Sequence, residues 1–278
     1  MKEKSKRNRP GVLVCIVLLC SVFWLSPLIL IFINSFKSHT DLILNFLSLP
    51  KSWSLEKYIE TWVMFEFPRL VGNTLLYTVT SSALVALFAP MAAYKLARTK
   101  SKLSYLCFGL VIMPMMVPFQ SYMISLTRLT ANVHLSGKRI GYILVTAGLL
   151  MPLAVYMIHG FIKNVPIELE ECARIDGASS FRIYFNIVLP LLKPILTTVV
   201  VIDSLSTWND IITNQLIVGG KQDAMNISSA LYMRFSANTS DWEHALPGII
   251  MSIIPALIFF VFMQKHIMGG VTEGAIKG

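Results

Sequence analysis

Residues 164–190 read NVPIELEECARIDGASSFRIYFNIVLP, the longest polar interruption in the second half of a very apolar chain. Pro166 occupies the place of a first helical residue, with Asn164 or Val165 ahead of it. Glu168, Glu170 and Glu171 fall in the opening turns, where the helix dipole favours negative charge. Asp176-Gly177 breaks that helix, because glycine readily takes the left-handed conformation a sharp corner needs. A second short helix follows, capped by Ser179 or Ser180. Its Phe181, Tyr184, Phe185, Val188 and Leu189 repeat at one-turn spacing and share a helical face. Pro190 and Pro194 end the pattern and lead into another apolar run. The expected product is a compact helix-turn-helix lying outside a bilayer, between two membrane spans.

Composition supports the bilayer. A chain of 278 residues that is 55% hydrophobic and 14% charged is not an ordinary soluble domain. Its apolar residues gather in runs of about 20 or more, enough to cross a hydrocarbon core of about 30 Å. The net charge of +9 would suit nucleic acid, but the charges sit between the apolar runs, where membrane topology explains them. Cys15, Cys20, Cys107 and Cys172 form no Cys-x-x-Cys pair and no disulfide pattern, and the five histidines have no metal-ligand spacing. No metal, cofactor or nucleic acid is expected.

Taken in order, Lys2, Lys4, Lys6, Arg7 and Arg9 make residues 1–10 a basic, inside N-terminus. Residues 11–33 are too long for a signal core and read as a retained first span. In the outside segment 34–69, Leu55, Tyr58, Ile59, Trp62 and Val63 share one face of a short helix, which either rests on headgroups or docks an external protein. Spans two to six are expected near Leu70–Tyr94, Ser104–Thr127, Ile140–Ile162, Pro194–Leu216 and Ala245–Ile267. Together they form a core over 70–268, with the polar loop at 163–190 and an inside tail at 269–278. This topology leaves 15 Lys and Arg residues inside and 9 outside. The expected fold is therefore all-α and polytopic, with six transmembrane helices and both termini cytoplasmic.

Span five is the most informative membrane segment. At 100° per residue, Asp203, Ser206, Thr207, Asp210, Thr213 and Asn214 fall within an arc of roughly 120°. An aspartate near a helix centre costs roughly 2.5–3.5 kcal/mol on insertion scales, against about 0.3–0.6 gained per Leu, Ile or Val. Such a helix must face protein or water. The stripe either lines a passage or hydrogen-bonds neighbouring helices.

The loop resembles the cytoplasmic signature, the EAA loop, of bacterial ABC-importer permeases. Glu171-Cys172-Ala173, Gly177, Ile187 and Leu189-Pro190 match its pattern of E-A-A, three residues, Gly, nine residues, Ile, one residue, Leu-Pro. The departure is Cys172 in place of Ala. Trp208-Asn209-Asp210, Asp241-Trp242, Pro255, Gln264 and the terminal Gly270, Gly274, Ala275, Lys277 and Gly278 are similar to the maltose-type, carbohydrate-uptake branch. Asp203 departs from that branch, where an uncharged residue is expected.

The resemblance implies a multi-pass subunit of a bacterial inner or plasma membrane. It would pair with a second permease as a heterodimer, with two cytoplasmic ATPase subunits and an extracytoplasmic sugar-binding protein. It also implies that Glu171, Cys172, Ala173, Asp176, Gly177, Phe181, Tyr184, Phe185, Ile187, Leu189 and Pro190 take part in coupling to the ATPase. No G-x-x-x-x-G-K-[ST] loop occurs, so the chain is not expected to hydrolyse ATP itself. The competing class is a secondary transporter in which Asp203 and Asp210 carry protons or sodium.

Overall fold

The structure is a computed structural model that describes residues 10–236 and 241–275, with side chains described over 13–235 and 241–264. The basic residues Lys2 to Arg9, and Lys277 and Gly278 of the tail, lie outside the described residues. The described chain is helical throughout, without strands. In order the helices are α1 (Pro10–Asn34), α2 (His39–Leu44), α3 (Glu56–Met64), α4 (Phe67–Arg98), α5 (Lys102–Ile112), α6 (Phe119–Asn132) and α7 (Arg139–Ile162). There follow α8 (Glu168–Ile175), α9 (Ser180–Ile183), α10 (Leu189–Leu191), α11 (Lys193–Trp208), α12 (Ile212–Val218), α13 (Ile227–Ser236) and α14 (Trp242–Ala275).

Among the described residues, four helices are long and apolar enough to cross a membrane, or up to six if each of two bent pairs is one span. The bent pairs account for two differences from the sequence reading. The span expected over Ser104–Thr127 is broken by 106° between Lys102–Met116 and Phe119–Asn132. Pro118 cannot continue the ladder of hydrogen bonds and drives Val117 to extended backbone, ψ 123°. The span expected over Pro194–Leu216 ends instead at Trp208, and α12 starts only at Ile212. The 100° periodicity therefore holds only as far as Trp208, and Thr213 and Asn214 belong to a separate helix.

The chain divides into two compact units. One holds α1, α2, α3 and the stretch from the end of α13 to Met251. Here α1 leaves Phe23 and Trp24 more than 70% exposed, as expected of a helix solvated by lipid. Phe36 packs against Trp53 and Tyr58, with ring centroids 5.0 and 5.2 Å apart. Buried Lys37 donates to the Asn45 and Phe46 carbonyls at 2.7 and 3.0 Å, and burial holds its ammonium below the usual lysine range. On α3, Ile59, Trp62 and Val63 of the predicted apolar face are exposed, while Thr61 on the opposite side is buried and donates to the His244 carbonyl.

Lys57 bridges Glu60 at 2.8 Å and Glu243 at 2.9 Å, and these hydrogen bonds raise its pKa. His244 lies 2.7 Å from Asp241 and 3.1 Å from Glu60. Burial pushes the Asp241 carboxyl up, but its bonds to His244 and Arg234 more than offset this and hold it below the usual range.

The second unit runs over Phe65–Met233 and resumes at Ser252 in α14. Its core is the packing of α4 against α7 and α11. Ala89 and Ala93 on α4 and Ala147 and Ala154 on α7 are almost fully buried. Small residues let helix backbones approach closely where lipid offers no hydrophobic drive for association. Towards the other end, Tyr77 and Tyr142 meet edge to face at 4.7 Å, and the Tyr77 hydroxyl donates to the Ala224 carbonyl at 2.7 Å.

One close approach fixes a sequence requirement. Gly141, in the first turn of α7, sits against Leu135, whose carbonyl oxygen occupies the space a Cβ would need. Gly148, two turns on, has nothing within 4 Å. We expect Gly141→Ala to cost about 1–3 kcal/mol through overpacking against backbone. Gly148→Ala should be neutral or gain up to about 1 kcal/mol of helix propensity. Thermal unfolding of the two variants in detergent measures the difference, and equal midpoints would refute the close approach.

Candidate functional site

The segment 164–190 folds as two helical pieces about a corner. Glu168–Ile175 ends at Gly177, whose φ of 82° lies in the left-handed region. The Gly177 amide donates to the Arg174 carbonyl at 3.1 Å and the Ala178 amide to the Ala173 carbonyl at 2.9 Å. These two bonds satisfy carbonyls that the helix end leaves open, the pattern known as a Schellman motif. Nothing lies within 4 Å of a Cβ built at Gly177, so the requirement there is conformational and not one of space. Ser179 caps the second piece by accepting from the Arg182 amide at 3.3 Å.

That second piece is not a plain α-helix. After one turn, Tyr184–Val188 is wound as a π-helix before α10. The wider winding divides the face expected from Phe181, Tyr184, Phe185, Val188 and Leu189. Tyr184 and Val188 are buried in the core with Ile183, while Phe185, Ile187 and Leu189 are half-buried against it. Phe181 remains 72% exposed, and Ile175 before the corner 86%. Around them Glu171, Cys172, Asp176, Gly177 and Pro190 are exposed, and Ala173 is buried. The outward surface is thus centred on the corner and not on the second helix.

The anchor of this segment escaped the sequence reading. Glu170 is buried and accepts from Arg98 Nε at 2.7 Å and from the Tyr94 hydroxyl at 2.7 Å. Arg98 Nη2 also donates to the Val165 carbonyl at 2.9 Å. Glu170 looked like one of three acids placed for the helix dipole, and Arg98 like one of the 15 Lys and Arg residues expected on the inside. Pairing them requires folding across 72 residues of chain.

In the membrane segments the polar stripe separates by environment. Asp203 is 1% exposed, and its Oδ2 has no hydrogen-bond partner among the described residues. Thr207 and Asn214 are buried, Asp210 is half-buried and Ser206 is exposed. Asp210 accepts from the Tyr142 hydroxyl at 2.8 Å and from the Thr213 amide at 3.2 Å, which pins the break before α12 to α7. Asn226 extends this, donating to the Asp210 carbonyl at 2.6 Å while its amide donates to Asn214 Oδ1 at 3.3 Å. Other interhelical bonds run through Ser82 and Ser204 at 3.3 Å, and from Asn73 to the Asp223 and Met225 carbonyls at 2.9 Å. A groove of about 320 Å³ lies beside α4 and α11, walled by Thr78, Ser82, Ser204, Trp208 and Pro255. Asp203, Ser206, Thr207, Asp210 and Asn214 do not line it. No cluster of metal-binding side chains occurs among the described residues.

Residues 85–267 match the family model described as binding-protein-dependent transport system inner membrane component. The chain belongs to that family. It is a permease, the membrane component of an ABC transport system, and ATP hydrolysis lies with separate subunits. It is 35% identical over 257 residues to the probable starch degradation products transport system permease protein AmyC of Thermoanaerobacterium thermosulfurigenes, covering 92% of this chain and 93% of the relative. To the melibiose/raffinose/stachyose import permease protein MelC of Bacillus subtilis it is 30% identical, covering 99% of both. Its fold is similar to that of a chain in the crystal structure of a bacterial ABC transporter involved in import of the acidic polysaccharide alginate. That match has a TM-score of 0.78 at 22% identity, over 95% of this chain and 99% of the other.

Removing one partner of a buried ion pair leaves the other charge uncompensated, which costs about 3–5 kcal/mol. Glu170→Ala should therefore lower the unfolding midpoint and loosen segment 164–190 in this permease. Glu171→Ala, one residue away but exposed, should change stability by less than about 0.5 kcal/mol. Limited proteolysis between α7 and α11 reads the loosening, and equal cleavage of both variants would refute the anchor.

Proposed function

We propose that this permease is one of two membrane-spanning subunits of an ATP-driven, binding-protein-dependent importer of sugars or oligosaccharides. It crosses the bilayer six times with both termini cytoplasmic, each bent pair contributing one span. The similarity to permeases named for starch degradation products and for melibiose, raffinose and stachyose supports the carbohydrate class. A second alginate-transporter structure of similar fold, with TM-score 0.62 at 18% identity, is described as a complex with an alginate pentasaccharide-bound periplasmic protein. An extracytoplasmic binding protein, a second permease and two ATPase subunits are the partners this reading requires.

The observation that carries the mechanism is the rigid corner at Gly177, held to the core through Glu170 and presenting Ile175 and Phe181 outward. An apolar knob on a short helix suits a groove on a partner, the helix-in-groove mode. Glu171 beside it offers the polar contact. ATP-driven closure of the ATPase pair would move this corner as a rigid body. Because α9 to α10 continues into α11 across a 70° bend, the motion would pass directly into a membrane helix. The purified permease should bring two ATPase subunits with it. Gly177→Val should insert normally yet abolish uptake in membrane vesicles, since a branched residue disfavours positive φ. Gly177→Asn, which tolerates that region, should keep most uptake. Full uptake by the valine variant would sink the coupling role.

Asp203 is proposed to border the translocation path. In the conformation described it is sealed from solvent and makes no hydrogen bond to described residues, which disfavours a role in joining helices. Asp203→Asn should keep insertion and shape but lower uptake partially, with no further effect of an uncoupler at fixed internal ATP. Wild-type uptake that collapses with uncoupler while internal ATP holds would instead mark an ion-coupled transporter using Asp203 or Asp210.

A further inference from the structure

A second cavity, of about 450 Å³, lies where α4 ends, α5 begins and α7 hands over to the coupling segment. Its walls carry Lys100, Lys163 and Arg98, with Tyr105, His159 and Asn164 between them. Neither lysine has an ion pair among the described residues. Arg98 has committed Nε to Glu170 and Nη2 to the Val165 carbonyl, leaving Nη1 without a partner there. His159 is only 7% exposed and stacks on Phe108 at 3.9 Å, yet it makes no hydrogen bond to described residues. Glu168 is the one acidic residue of the lining. With Arg98 balanced by Glu170, the two lysines against Glu168 leave the cavity an excess of one positive charge. Ammonium, phenol, imidazole and amide donors converging on such a space suit a phosphate group.

The phosphate has a specific source. Tyr105 forms one wall and is itself 68% exposed on α5, flanked by exposed Leu103 and Leu106. The cavity therefore continues onto an apolar helix surface, which a soluble anion would not use and an acyl chain would. Basic pockets between membrane helices on the cytoplasmic side are suited to anionic headgroups. We infer that this cavity binds the headgroup of an anionic phospholipid of the inner leaflet, with its chains lying along α5. Asn164, Val165 and Glu168 of the lining are the residues that lead into α8. A bound lipid thus ties the coupling segment to the ends of α4 and α5 and makes coupling depend on lipid charge. The inference rests on the cytoplasmic placement of this loop in the proposed function.

The test uses the permease purified with its partner subunits and native mass spectrometry after incubation with phosphatidylglycerol, phosphatidylcholine or inorganic phosphate. Phosphatidylglycerol should be retained in preference to phosphatidylcholine, and inorganic phosphate should not displace it. Lys100→Gln with Lys163→Gln should weaken retention about thirtyfold, given the contribution of each basic residue near an anionic surface. Lys95→Gln with Lys102→Gln removes the same charge at the same end but outside the lining, and should leave retention unchanged. Equal loss in both double variants would reduce the site to general surface charge and overturn the inference. So would displacement by inorganic phosphate, which makes it a soluble-anion site. Intact lipid retention with loss of the ATPase subunits in the Lys100/Lys163 variant would make the cavity a protein contact and overturn it as well. A wild-type preparation that lacks ATPase subunits overturns the proposed function instead, so the two failures are told apart.

Discussion

The ion pair between Arg98 and Glu170 joins the end of α4 to the start of α8. It is buried, 2.7 Å long, and completed by the Tyr94 hydroxyl on the same carboxylate and the Val165 carbonyl on the same guanidinium. A buried pair is rarely worth much in net stability compared with an apolar replacement, because both charges lose water. What it supplies here is position. The donors of a planar guanidinium fix direction as well as distance. The start of α8 is consequently held to the end of α4 at one angle, and the corner proposed above to transmit motion is kept from swivelling.

Elsewhere the same constraint acts in a gentler form. In hydrocarbon every polar group needs a partner supplied by the protein. The chain meets this with hydroxyl and amide groups: Ser82 with Ser204, Tyr142 with Asp210, Asn73 with two carbonyls, and Asn226 with both Asn214 and Asp210. Most of these bonds gather where α11 stops and α12 begins. A helix interrupted within a membrane protein frees backbone groups, and side chains of neighbouring elements satisfy them here. Asp203 Oδ2 and Thr207 Oγ1 on α11 are buried without such a partner among the described residues.

The π-helical turn over Tyr184–Val188 has a comparable logic. It lets Tyr184 and Val188 face the core while Phe181 faces away, which a uniform α-helix through these residues would not do. Wide turns of this kind occur mostly as single interruptions of α-helices, often at functional sites. In this permease the turn separates the part of the segment that packs from the part that is presented.

Much of this was legible in the sequence because it is local. Run length and charge placement gave membrane helices, proline and glycine gave the limits of segment 164–190, and the left-handed glycine at 177 and the serine cap at 179 were found where the residue chemistry put them. The motif spacing gave the family. What the sequence did not reveal was non-local. Periodicity cannot foresee that Pro118 bends a span by 106°, because proline is tolerated in membrane helices with or without a kink. It carried the polar stripe past Trp208 into Thr213 and Asn214, which lie on another helix, since a period has no knowledge of where hydrogen bonds to Tyr142 and Asn226 make a break affordable. Nor could it choose among three glutamates: Glu168, Glu170 and Glu171 are equivalent to a helix dipole, and only the arrival of Arg98 and Tyr94 from the end of α4 decides that Glu170 is buried while Glu171 faces outward.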